Sequence, residues 1–312
     1  MRLWIAITDG DWHEFLSGRP DIDEVNFWQP GGQKKFSSLL PGEPFLFKLH
    51  SPRNYIVGCG FFAHATILPM SLAWETFGEK NGARTSQEMR ARIEKYRRVD
   101  ADPLADYQIG CILLEQPVFF REQDWIPSPV DFSLNIVQGK SYDLTREEGK
   151  RIWERVQPLV SVGAGRAVAE SGGVPDVDGP RYGDPAVVLP RLGQGTFRLV
   201  IADAYERRCA VTRERTFPAL EAAHIKPYSK SGPHRVANGL LLRRDIHSLF
   251  DLGYVTVTRS YHFEVSRKIR EDFENGRDYY ALQGKEIWVP PKPELRPGRE
   301  YLDFHAENVF RG

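Results

Sequence analysis

Apolar and polar positions alternate along the first half of the chain in runs that read as strands. WIAIT (4–8), FLFKLH (45–50), NYIVGCGFFAHATIL (54–68) and YQIGCILLEQPVFF (107–120) are rich in β-branched and aromatic residues and bounded by turn formers such as Ser51-Pro52-Arg53-Asn54. Between them, helical spacing predicts two helices, at about 72–80 and 86–98. A third begins near DLTREEGKRIWERV, where Thr145 reads as an N-cap and Glu148 as its capping-box partner. Residues 1–157 therefore read as one mostly β unit with inserted helices. The stretch 158–188 is rich in Gly, Pro, Ala and Ser without a steady period, the pattern of a linker.

The period changes after Leu189. TFRLVIADAYERR (196–208) has apolar residues at helical spacing, LEAAHI reads as a strand, and LLLRRDIHSLFDLG as a short helix closed by Gly253. YVTVT and HFEVS alternate about Arg259-Ser260 as a hairpin. A second unit over 189–290 and a proline-rich tail over 291–312, wrapped back on it, complete an α+β protein. No internal repeat is evident.

Composition narrows the classes. With 312 residues, 41% hydrophobic and 27% charged, the chain has the balance of a soluble two-domain protein. No apolar run reaches the roughly 20 residues that span a bilayer, and the N-terminus lacks the pattern of a signal peptide. A membrane role is not expected, and a cytoplasmic location is. Cys59, Cys111 and Cys209 form no CxxC pair, which argues against a disulfide framework or a structural zinc. The zero net charge conceals an asymmetry: residues 191–270 hold 15 Lys and Arg against 7 Asp and Glu. A basic block inside a neutral protein suits a polyanionic partner.

That block contains the chemistry. His224 in EAAHIKPYS, Asn238 in the following loop and His247 on the next helix fall in the order His, Asn, His, with Asp251 one helical turn after His247. A neutral imidazole is a base near pH 7. A His–Asp pair on one helix face can hold a divalent cation, and an asparagine amide can pin the loop and orient the imidazole through hydrogen bonds. Phosphodiester hydrolysis needs such a base and such a cation. Arg243, Arg244 and Lys226 are candidates to clamp phosphates, whereas His234, in a Gly-Pro turn, reads as a solvated loop residue.

Residues 207–257 resemble the HNH endonuclease domain, the ββα-metal nuclease fold. The resemblance implies that His224 is the general base, Asn238 the orienting asparagine and His247 a metal ligand joined by Asp251, with Mg²⁺ or Mn²⁺ as cofactor and DNA as substrate. Where many members place a ligand directly before the base, this chain has Ala223, and Glu221 is the substitute. Cys209 keeps one cysteine of the pairs that brace other members with zinc, so apolar residues must brace this one. The N-terminal order resembles, more distantly, the PUA superfamily of small β-barrels with its EVE, ASCH and SRA-like members. The combination is similar to modification-dependent, type IV restriction endonucleases, which implies a reader for a modified, flipped base. Its candidate pocket residues are Trp28, Phe27, Trp12 and Trp125, with Asn26 and Gln29 beside them. One nuclease site cuts one strand, so a homodimer would supply both cuts. Two alternatives remain: an HNH nuclease without modification dependence, and a nucleic-acid-binding protein whose HNH site has decayed.

Overall fold

The computed structural model describes residues 1–312 except 20, 98–101, 103–104, 134, 171–191, 228–229 and 231, with backbone alone over 162–170. It divides into two compact units, Met1–Pro190 and Arg191–Gly312. Among the described residues no helix is long and apolar enough to cross a membrane.

The first unit is built on one mixed sheet. Its elements are β1 (Arg2–Thr8), α1 (Gly10–Ser17), β2 (Glu24–Gln29), β3 (Pro44–Leu49), β4 (Tyr55–Pro69), α2 (Met70–Phe77), α3 (Ser86–Glu94), β5 (Gln108–Phe119), the short β6 (Ile126–Pro127), β7 (Gly139–Asp143) and α4 (Glu147–Glu170). The strand path runs β2-β5-β4-β3-β1-β7, with β6 added to β4. Among the described residues only the β1–β3 pairing is parallel, Trp4 opposite Phe45 through Thr8 opposite Leu49. The path is an open one, with β2 and β7 at its two ends. β3 is buried at every position, so its side chains serve two cores. Leu46 joins Leu3, Ile5 and Ile56 beneath Ile152 and Val156 of α4. Phe45 and Phe47 join Trp12 and Phe27 in an aromatic layer beside α1. Gly58 is needed here: a Cβ would lie 2.8 Å from the Phe47 ring and 2.7 Å from the Val118 carbonyl oxygen.

Two local expectations change. The Asp143 carboxylate, not Thr145, accepts hydrogen bonds ahead of α4, from the Thr145 N–H at 2.9 Å and the Thr145 hydroxyl at 2.8 Å. A carboxylate two residues upstream reaches these donors first, so the Thr145–Glu148 capping box does not form. α4 also continues to Glu170, which makes 158–170 of the expected linker helical. The remainder of that linker, from 171, lies outside the described residues.

The second unit contains α5 (Gln194–Ala204), β8 (Leu220–His224), β9 (Gly239–Arg243), α6 (Arg244–Asp251), β10 (Val255–Val257), β11 (Phe263–Val265), α7 (Lys268–Phe273), α8 (Arg277–Tyr280) and α9 (Arg299–Asn308). β8 and β9 pair antiparallel, Leu220 opposite Arg243 and His224 opposite Gly239. The run LLLRRDIHSLFDLG is thus a strand that turns directly into a helix. Leu240, Leu241 and Leu242 are buried in β9, and the helix starts only at Arg244. Gly253 follows α6 at φ +76°, where its missing Cβ lets the Val309 carbonyl come close. The last segment is more than a wrapping tail. Leu302 of α9 is fully buried, and the buried His305 bridges the Phe250 carbonyl oxygen at 3.0 Å and the Thr256 hydroxyl at 2.9 Å. The brace expected from apolar residues is present, since Leu240, Leu242 and Phe250 lie in one buried core. Cys209 is buried in it, and its sulfur accepts the N–H groups of Arg243 and Thr212 at 3.3 and 3.5 Å.

Candidate functional site

Strand β8 presents Glu221 and His224, α6 presents Arg244, His247 and Asp251, and the β8–β9 hairpin with α6 packed on it brings the two elements together. His224 ends β8. Its ring lies flat on Phe197 of α5, with centroids 4.0 Å apart and planes 9° from parallel. Burial, followed by the nearby His234 and His247, lowers its pKa from 6.5 to about 4. The imidazole is therefore neutral at pH 7, the form that can accept a proton. Its Nε2 is buried and has no hydrogen-bond partner among the described residues.

Asn238 is fully buried between β8 and β9. Its Oδ1 accepts from the Lys226 N–H at 2.8 Å, and its Nδ2 donates to the carbonyl oxygens of Lys226 and Pro233, both at 3.0 Å. The amide thus pins the loop through three backbone groups. The expected hydrogen bond to the imidazole is replaced by these bonds, which use the amide's two donors and its carbonyl oxygen.

His247 stands on α6 between two carboxylates. Its Nδ1 is 2.8 Å from Glu221 Oε2 and its Nε2 is 3.3 Å from Asp251 Oδ2. Glu221 also accepts from Arg244 Nε at 2.7 Å. Burial raises the Glu221 pKa, but the hydrogen bonds from His247 and Arg244 outweigh it and the net shift is downward. Asp251 shifts the other way, raised by burial and by the charge of Glu221 despite His247. Ala223 is fully buried, so the position before His224 faces the core and could not offer a ligand. Among the described residues, no group of three His, Cys, Asp or Glu side chains is already arranged around a common cation position.

The expected phosphate contacts divide. The Arg243 fork is occupied by Asp245, at 2.7 Å from Nε and 2.6 Å from the terminal nitrogen. Among the described residues Arg244 is bound through Nε, and its side chain is 63% exposed, which leaves its outer nitrogens toward solvent. Lys226 Nζ sits 4.8 Å over the Phe304 ring.

In the first unit a cleft of about 790 Å³ is lined by Trp12, Phe27 and Trp28, three of the four expected pocket residues. Trp12 is only 2% exposed and meets Phe27 and Phe47 edge on, so it forms the floor. Trp28 donates its indole N–H to the Asn81 carbonyl oxygen at 3.0 Å. Trp125 does not belong with them: its ring packs on His13 and Tyr55 and its N–H on the Phe120 carbonyl oxygen, because the β6 register pulls it to another part of the unit. Asn26 is buried against Asn81 and Cys111 instead of offering an edge, while Gln29 does line the cleft. Sequence reasoning missed Trp4, Asp9, His50 and Tyr96 on the same walls. Tyr96 donates its hydroxyl to Asp9 and stacks parallel to His50 at 6.1 Å. No local pattern joins positions 9, 50 and 96. Lys34 and Lys35 stand at the cleft's loop side.

Residues 209–258 match the family described as HNH endonuclease. The second unit carries an HNH endonuclease domain. The matched span includes the paired strands β8 and β9, α6 and all of His224, Asn238, His247 and Asp251. No curated protein matches the chain. Among solved structures, ASCH from Zymomonas mobilis overlaps 49% of this chain and 94% of its own at 10% identity, with a TM-score of 0.31. A structure titled modification dependent TagI restriction endonuclease overlaps 92% of this chain and 75% of its own at 14% identity, with a TM-score of 0.27. Overlaps this slight leave the first unit described by its own topology.

HNH nucleases imply a divalent cation, and the donor set here fits one. His247 Nδ1 faces Glu221, and its Nε2 lies 3.3 Å from Asp251 Oδ2, so a nitrogen and a carboxylate oxygen stand side by side. Of the two carboxylates that flank the imidazole, Glu221 is paired with Arg244, and Asp251 carries the charge that a cation would relieve. Glu221, expected as a ligand, meets His247 at Nδ1 in this geometry.

Proposed function

We propose that the protein is a modification-dependent DNA endonuclease of the type IV restriction kind. The observation that carries the nuclease half is the meeting, in one ββα element, of a neutral His224 with His247 and its two carboxylates. In the reaction, the His224 ring takes a proton from water. The water oxygen bonds to phosphorus while the bond to the 3′ oxygen breaks, which leaves a 5′ phosphate and, after protonation by solvent, a 3′ hydroxyl. Asn238 keeps the strand and loop around the base in register. Arg244 neutralises a phosphate oxygen with its outer nitrogens. Glu221 holds His247 in one tautomer. A divalent cation, Mg²⁺ or Mn²⁺, bound by His247 and Asp251, would supply charge neutralisation on the phosphate and the leaving oxygen.

The reader half is supported by the aromatic cleft. Trp28, Phe27, Tyr96 and Trp4 offer rings on which a flipped base can stack. Asp9 and Gln29 offer polar edges, and Lys34 and Lys35 suit the flanking phosphates. The test is digestion of one plasmid sequence prepared unmodified, with methylated, hydroxymethylated or glucosylated cytosine, with N6-methyladenine, or with phosphorothioate linkages. One modified form is cut and the unmodified form is spared. The Trp28→Ala variant loses that preference. Equal cutting of all forms would leave an HNH nuclease without a reader.

A further inference from the structure

The loop between β8 and β9 carries a histidine that the scheme above does not use. His234 reads from sequence as a solvated turn residue, yet it is half-buried and completes a cluster of three rings. His224 lies flat on Phe197, and His234 meets both nearly edge on, 4.8 Å from His224 and 5.7 Å from Phe197. The loop is built to hold it there. The carbonyl oxygen of Pro233, just before it, accepts from Asn238 Nδ2 at 3.0 Å and from the Arg235 N–H, just after it, at 2.9 Å. Gly232 approaches Lys226 so closely that a Cβ would lie 1.9 Å from the Lys226 carbonyl oxygen. Both sides of His234 are therefore tied to the groups that Asn238 anchors.

A base must hold its nitrogen within hydrogen-bond reach of the proton it takes, and a ring free to swing loses much of its effect. Hydrogen bonding does not fix the His224 ring at Nε2, which is buried and unpartnered among the described residues. Packing must do so. We infer that His234 is a positioning residue for His224: with Phe197 it walls the imidazole into the one orientation from which it can accept a proton. The inference rests on the reading of His224 as the base.

The experiment uses the full chain with Mn²⁺ and the form of plasmid DNA that the wild type cuts. His234→Ala lowers kcat about tenfold and leaves KM unchanged, whereas His234→Phe, which restores a ring, returns kcat to within about threefold. Should His234→Ala melt below the assay temperature, His234→Gln replaces it, since it keeps bulk without a ring. A second readout needs no activity: the ring Cε1–H signal of His224 in histidine-labelled protein, displaced by stacking on Phe197. It moves toward the free-histidine position in His234→Ala and stays in His234→Phe. Wild-type kcat in His234→Ala with an unmoved His224 signal overturns the inference. So does a His234→Phe protein as slow as His234→Ala, for then the imidazole itself is required. His224→Ala separates the two claims: if it cuts at the wild-type rate the base assignment falls, while the His224 signal in the His234 variants still decides the packing.

Discussion

Asn238→Ala removes a side chain that ties the β8–β9 loop to its strands. Three hydrogen bonds, of 2.8, 3.0 and 3.0 Å, go with it. Each contributes about 1 kcal/mol net, and the buried groups it leaves unsatisfied add to that. Lys226 is half-buried, so water can satisfy part of what is orphaned there. The expected cost is about 3 kcal/mol. For a unit the size of residues 191–312 that corresponds to a fall of about 10 °C in the melting transition of the HNH domain. Asn238→Asp is the sharper variant. It keeps the acceptor for the Lys226 N–H but sets a carboxylate oxygen against the carbonyl oxygens of Lys226 and Pro233, so it costs at least as much as Ala. The assays are calorimetry and amide exchange of the full chain. Protection is lost over residues 225–239 and retained over β10 and β11. If Asn238→Ala melts within about 2 °C of wild type and those amides stay protected, the side chain does not hold the loop and the argument fails.

Glu221→Gln weakens the support behind His247 without removing a ligand. The Mn²⁺ concentration for half-maximal cleavage rises about 10- to 100-fold, and the rate recovers at saturating metal. A metal titration that shows no recovery would make Glu221 a ligand after all. Acid lowers stability through the buried imidazoles. His13, His224 and His305 have pKa values lowered from 6.5 to about 4, chiefly by burial. The unfolded chain takes up protons below about pH 6.5 while the folded chain does not, so their contribution is intact above that pH and lost as pH falls toward 4. Urea midpoints at pH 7 and 4.5 check this, and His305→Gln, which can keep one of the two bonds to Phe250 and Thr256, flattens the dependence.

The candidate nuclease residues are legible because their spacing is local. His224, Asn238, His247 and Asp251 sit within one hairpin and one helix, and the i,i+4 step from His247 to Asp251 survives any error in the strand boundary. That boundary was misread because three leucines ahead of an amphipathic turn satisfy either period. The consequence reached Arg243. Read as helical, it is a free cation one turn before His247. In the structure it is the extended residue before α6, at φ −65° and ψ 141°, and from there its fork closes on Asp245 two residues on. In the first unit, Phe27 and Trp28 stand out in the sequence as adjacent aromatic side chains in a loop, although the structure carries them on β2. His50 and Tyr96 come to the same cleft from the end of β3 and the end of α3, and only the tertiary fold brings those ends together.

His234 is the most instructive omission. Gly-Pro turns are exposed as a rule, since a buried loop leaves backbone groups without partners. Here Asn238 supplies partners for Lys226 and Pro233 from inside, which lets the loop fold inward and bring its histidine onto His224. One buried amide thus removes the usual reason for exposure. It follows that Asn238 and His234 act in series. The asparagine orders the loop and the loop's ring orders His224, so a double variant of Asn238 and His234 should lose scarcely more activity than Asn238→Ala alone.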